Sequence, residues 1–85
     1  MSYIAQMENL PELNKATGKA IRELRKKSGL NQAQLAGLAG LSEDYISNLE
    51  RGIQSGTLSA IYHISTALRM DISEMVLMIE KKLKS

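Results

Sequence analysis

Residues 32–51, QAQLAGLAGLSEDYISNLER, read as two short helices joined by a tight turn. Asn31 stands three residues before Gln34, the spacing at which each side chain satisfies an orphan backbone amide of the other, and Leu35, Leu38 and Ala39 supply a buried face. Gly40 provides the positive φ that ends this helix and turns the chain. Ser42 is a ready N-cap for the next helix, with Tyr45, Ile46 and Leu49 inward and Gly52 past its end, so the spacing predicts a helix over 43–51. Ala36 is small where the two helices must cross closely, and Leu35, Ala39, Leu41, Ile46 and Leu49 hold the pair together. A pair of this build presents its second helix outward, and the major groove of DNA is wide enough for one helix. A structural helical hairpin matches several of the same positions.

The flanks extend the helical pattern. Before the pair, Asn9 and Pro11 open a segment in which Leu13, Thr17, Ala20, Ile21 and Leu24 recur at helical spacing until Gly29, which predicts a helix over 12–28. After it, 53–56 is turn-like, and Thr57 can cap a helix carrying Leu58, Ile61, Ile64, Ala67 and Leu68 on one stripe. Asp71 and Glu74 form another capping pair and open a last helix over about 72–83. Its run Met75, Val76, Leu77, Met78, Ile79 is apolar on every side of the helix. One face, led by Ile72, Val76 and Ile79, is expected to pack on the domain. The rest needs a second cover, which places a homodimer interface on Met75, Leu77 and Met78.

Composition agrees with an all-α fold and narrows the function classes. Leu, Ile, Ala and Met dominate the apolar residues, with one Val, three Thr, three Tyr and no Phe or Trp, an inventory short of strand formers. Eighty-five residues suit a single domain over 1–85 whose small core would gain from a partner subunit. The absence of cysteine removes a disulfide framework, a thiolate nucleophile and the common structural zinc sites, and points to a reducing, cytoplasmic setting. Residues 1–10 lack the basic stretch and apolar run of a signal peptide, and no window approaches the roughly 20 apolar residues of a membrane span. Net charge is only +2, but Lys15, Lys19, Arg22, Arg25, Lys26 and Lys27 crowd one segment against Glu23, and Lys81, Lys82 and Lys84 gather near the end. Solvated helix faces explain such clusters as well as a polyanion partner does.

The run IRELRKKSGLNQAQLAGLAGLSEDYISNLERG, followed by a capped helix ending in TALRMDISEM, resembles the phage repressor and Cro-type helix-turn-helix family over residues 18 to about 75. That resemblance implies a five-helix, lambda-repressor-like domain, a dimer, and operator DNA as partner. The family includes small controllers of restriction-modification operons and prophage or plasmid repressors. Two departures stand out. Gly56 occupies a position where the family often has Pro, and the outward helix begins with Glu43 and Asp44 where neutral or basic residues are common.

Roles follow residue by residue. By resemblance, Gln32 contacts a phosphate and braces the outward helix, at a helix start whose free amides suit phosphate oxygens. Glu43, Asp44, Ser47 and Asn48 share an outward side from which they would reach base edges. Asn48 can pair bidentately with adenine, and either carboxylate can accept from a cytosine amino group. Carboxylates also simply suit the first turn of a helix, opposite the positive end of its dipole. Ser42, Tyr45 and Arg51 complete the expected contacts to the DNA backbone; Tyr45 and Arg51 equally suit packing or pairing within the domain. Arg25 and Glu50 match the family's internal salt bridge, a structural role for which a planar guanidinium is suited.

The expected function is a dimeric regulator that binds double-stranded DNA at a roughly palindromic operator read by helix 43–51. The competing function is an antitoxin-like protein-binding module in which the apolar last helix docks another protein. An enzyme is not expected, because one histidine, His63, and no cysteine cannot build a nucleophilic triad or a metal-ligand cluster. No cofactor or metal is expected. The five methionines suit gap-filling in core and interface.

Overall fold

The computed structural model describes residues 10–85, so the expectation that Asn9 opens the first helix lies outside the described residues. Five α-helices make up the domain, in the order α1 (Pro11–Lys27), α2 (Gln32–Ala39), α3 (Glu43–Glu50), α4 (Leu58–Ala67) and α5 (Ile72–Lys84), with no strand among the described residues. All five sequence-predicted helices are present, each displaced by one residue or less at either end.

The local signals act as their chemistry requires. Pro11 starts α1 at a position whose missing N–H has no intrahelical partner in any case. Asn31 Oδ1 accepts from Gln34 N at 2.7 Å while Gln34 Oε1 accepts from Asn31 N at 2.8 Å, closing the capping box of α2. Gly40 adopts φ +69°, and Leu41 N donates to Ala36 O at 2.9 Å, which turns the chain directly into α3. Ser42 and Thr57 cap α3 and α4 through their hydroxyls. Glu74 Oε1 accepts from Asp71 N at 2.9 Å at the start of α5. Arg69 alone among the described non-glycine residues takes a positive φ, +59°, where the tight end of α4 demands a left-handed residue; a sequence search for Gly or Asn passes over it.

The core lies among all five helices. Ile21, Leu35, Ile46, Leu49, Ile64 and Met75 are fully buried, joined by Ala16, Ala20, Ala36, Ala39, Ile61 and Ile79. α1 packs along α5 and against α3, and α2 packs against α3 and α4, so among the described residues α3 rests on α1 and α2 and its opposite side stays open. Lys82 Nζ reaches Glu23 Oε1 at 2.7 Å and ties α5 to α1. That hydrogen bond and the lysine's charge hold the Glu23 carboxyl below its ordinary range. The pair therefore contributes at neutral pH and is lost as pH falls through the lowered value.

Packing corrects the sequence reading at several positions: Leu38 and Leu58, expected on buried faces, are 63% and 74% exposed. Met75, expected at a dimer interface, is 0% exposed and belongs to the core of this domain. Val76, expected to face inward, is 50% exposed. Five consecutive apolar residues mark no unique face. The structure turns α5 so that Met75 and Ile79 point inward.

Sequence spacing assigns Gly18 no role. It is buried in α1 where that helix meets the end of α3, and a methyl group there would strike the Leu49 carbonyl oxygen and lie 2.7 Å from that of Glu50. Those obstacles are backbone atoms and cannot swing aside. Gly18→Ala is expected to destabilise by about 1–3 kcal/mol, whereas Gly37→Ala in α2, with nothing within 4 Å of the new carbon, is expected to stabilise by about 0.5–1 kcal/mol. Urea melts of the two variants check the opposite signs; two changes of the same sign would contradict the close approach of α1 and α3.

Candidate nucleic-acid interface

α3 is held from beneath by one buried carboxylate. Glu50, its side chain 1% exposed, accepts from Arg25 Nε at 2.6 Å through Oε2 and from Arg25 Nη2 at 2.9 Å through Oε1. Arg25 Nη1 donates to the Leu30 carbonyl at 2.8 Å, so the guanidinium also fixes the turn between α1 and α2. The Glu50 hydrogen bonds raise the Arg25 pKa above its ordinary value, with burial acting against them. Gln32 Nε2 donates to Glu50 Oε1 at 3.1 Å and adds the first residue of α2 to the same clamp. The expected brace by Gln32 and the expected Arg25–Glu50 pair are thus one network joining α1, α2 and α3.

With Ile46, Leu49 and Glu50 directed inward, helical geometry sends Asp44, Ser47, Asn48 and Arg51 to the opposite side of α3. Glu43 lies toward one edge of that face, and both carboxylates sit in the first turn of the helix. Ser42 Oγ accepts from Tyr45 N at 3.1 Å, and the Tyr45 hydroxyl accepts from Thr57 N at 3.3 Å. Tyr45 therefore spans from α3 to the start of α4, and its own O–H has no acceptor among the described residues.

Beyond the helix, sequence reasoning missed one member of the outward surface. Gly52 takes φ +73° with its α-carbon side against the Lys15 backbone, and Ile53 N donates to Asn48 O at 3.2 Å. This turn brings Gln54 back over α3, where its Oε1 accepts from Asn48 Nδ2 at 3.2 Å. On the other side Asn48 Oδ1 accepts from Arg51 Nη2 at 2.9 Å. The signal was Gly52, which requires the chain to reverse, but nothing in the spacing says which side chain returns.

The outer side of α5 forms a separate surface. Leu77 is 53% exposed, Val76 lies half-exposed beside it, and Leu24, Met70, Glu74, Leu77, Met78 and Lys81 line a shallow groove between α1 and α5. Among the described residues no helix is long and apolar enough to cross a membrane, and no cluster of three or more metal-capable side chains is found.

The fold that carries this site is shared by known proteins. Residues 21–75 fit the helix-turn-helix family model, and the chain belongs to that family. It is 32% identical over 65 residues to an HTH-type transcriptional regulator of Sinorhizobium fredii, covering 76% of this chain and 84% of that protein. It is 36% identical over 63 residues to the competence pilus inhibition repressor of Acinetobacter baylyi, covering 74% of this chain but only 57% of that longer protein. Among solved structures, the restriction-modification controller protein C.Esp1396I, a tetramer in complex with its natural 35 base-pair operator, superposes with a TM-score of 0.79 at 25% identity, over 86% of this chain and 96% of that one.

Proposed function

We propose that this chain is a sequence-specific transcriptional regulator of the cytoplasm that binds double-stranded DNA as a homodimer, each copy reading half of a two-fold symmetric operator with α3. The observation that carries the proposal is the placement of Asp44, Ser47, Asn48 and Arg51 on the open side of a helix whose inner side is locked through Glu50. A reading helix has to be rigid beneath and unobstructed above, because base contacts are won only in one docking register. Asp44 and Glu43 accept from cytosine amino groups, and Ser47 and Asn48 add short polar reach to base edges. Gln32, with one amide N–H beyond its bond to Glu50, Ser42 and the Tyr45 hydroxyl face the flanking phosphates. The similarity to a transcriptional regulator and a repressor, and to a controller with its operator, supports the same reading. No catalytic step belongs to it.

Dimerisation uses the outer face of α5, with Leu77 and Met78 against the same residues of a second copy. Met75 has no part in that interface. Two copies related by a two-fold axis would set their reading helices about 34 Å apart, one turn of duplex.

Asn48→Ala is expected to relax preference at one position in each half-site, at about 1–3 kcal/mol per position, while Gln32→Ala weakens cognate and scrambled duplexes alike. Affinities of both variants for both duplexes, at one fixed salt concentration, provide the check. Equal losses on cognate and scrambled DNA for Asn48→Ala would remove α3 as the reader.

A further inference from the structure

The hydrogen bonds on the outer face of α3 assign its donors and acceptors. Arginine carries no acceptor, so the Asn48 atom 2.9 Å from Arg51 Nη2 must be the oxygen, and its amide nitrogen then faces Gln54. Gln54 in turn presents its oxygen to Asn48, which leaves its own NH2 group directed elsewhere. Both functional atoms of Asn48 are therefore engaged within the protein. One N–H and one lone pair of Asn48 remain, but an adenine paired to them would have to fit the orientation that Arg51 and Gln54 already impose on the amide. Arg51, held through a single nitrogen, keeps Nε and Nη1 without a partner among the described residues, and lies two helical turns from Asp44 on the same side of α3.

We infer that Gln54, Asn48 and Arg51 form a relay in which Arg51 reads a guanine through its O6 and N7 acceptors, while Asn48 and Gln54 are positioning residues that hold the guanidinium in the plane of that base. The inference rests on the operator-reading function proposed above; it moves Arg51 from the DNA backbone, where sequence alone puts it, to a base edge, and replaces the direct base contact of Asn48 given there with a supporting role. The chemistry is complementary along the helix. Asp44 accepts from cytosine near the start of α3, and Arg51 donates to guanine at its end, so the face as a whole favours G·C pairs. The relay also counters the repulsion of Glu43 and Asp44 for phosphates, since a guanidinium fixed by a neutral amide keeps its full charge.

The test is a set of selections from a random-sequence duplex pool with the full chain and with Arg51→Ala, Arg51→Lys, Asn48→Ala, Gln54→Ala and Gln54→Glu. The wild-type chain is expected to enrich one guanine in each half-site. Arg51→Ala and Arg51→Lys should both reduce that preference by roughly 5- to 150-fold, because lysine keeps the charge but loses the planar fork. Asn48→Ala and Gln54→Ala should weaken the preference at the same guanine, with Gln54→Ala lowering it roughly 2- to 10-fold. Gln54→Glu keeps the acceptor that Asn48 Nδ2 needs, so it should bind all duplexes more weakly yet retain the guanine ratio. The relay is overturned if Arg51→Lys leaves every base preference intact, or if Asn48→Ala erases preference at an adenine while the guanine is unaffected. A wild-type chain that enriches no site defeats the operator-reading function itself, and the relay with it.

Discussion

Replacing Arg25 with methionine is expected to cost about 3–5 kcal/mol of stability, because the Glu50 carboxylate, 1% exposed, would keep only the neutral Gln32 amide at 3.1 Å. A charge left in that position is desolvated without a counter-ion. The double variant Arg25→Met with Glu50→Leu should lose less than Arg25→Met alone, since removing both charges leaves only a packing problem. Urea melts of the single, the other single and the double variant decide the matter. Losses that simply add would show that the pair does not interact. For a domain this small, a loss of that size is a large share of its whole stability, so the urea midpoint of Arg25→Met is expected to fall steeply.

Introducing Asp at Leu77 is expected to leave the fold intact and separate the dimer. Leu77 is 53% exposed within one copy, so the change costs the single domain little, but it would set like charges across a two-fold axis. Linked half-sites gain roughly 10²- to 10⁴-fold in avidity over single ones, and the monomeric variant should lose operator affinity on that scale while keeping its helical circular dichroism. Sedimentation across protein concentration provides the check. A wild-type chain that stays monomeric at concentrations where it binds its site would rule out the α5 interface.

The parts of this structure legible in the sequence are those governed by local chemistry. Pro11, Asn31 with Gln34, Ser42, Thr57, Asp71 with Glu74 and the glycines at 29, 40 and 52 act within a few residues of themselves, and they placed all five helices. The Arg25–Glu50 pair was legible only through resemblance, because 25 residues separate partners that no spacing rule connects. What stayed hidden depends on tertiary contact. Gly18 carries no signal in the spacing of α1, and its place depends on the carbonyls of Leu49 and Glu50 that lie against it. Met75 and Val76 are both apolar neighbours in a uniformly apolar run, and only the packing of α5 on α1 distinguishes inside from outside. On the reading face, Asn48 looked free to pair with a base, and its engagement by Arg51 and Gln54 depends on a turn whose returning side chain the sequence does not specify.

The central claim, that α3 of two linked copies reads a specific duplex, is tested most directly by selecting bound DNA from a random pool with the wild-type chain at stated salt. The account predicts enrichment of a two-fold symmetric site whose half-sites lie about one helical turn apart. Recovery of a pool as random as the one supplied would contradict it.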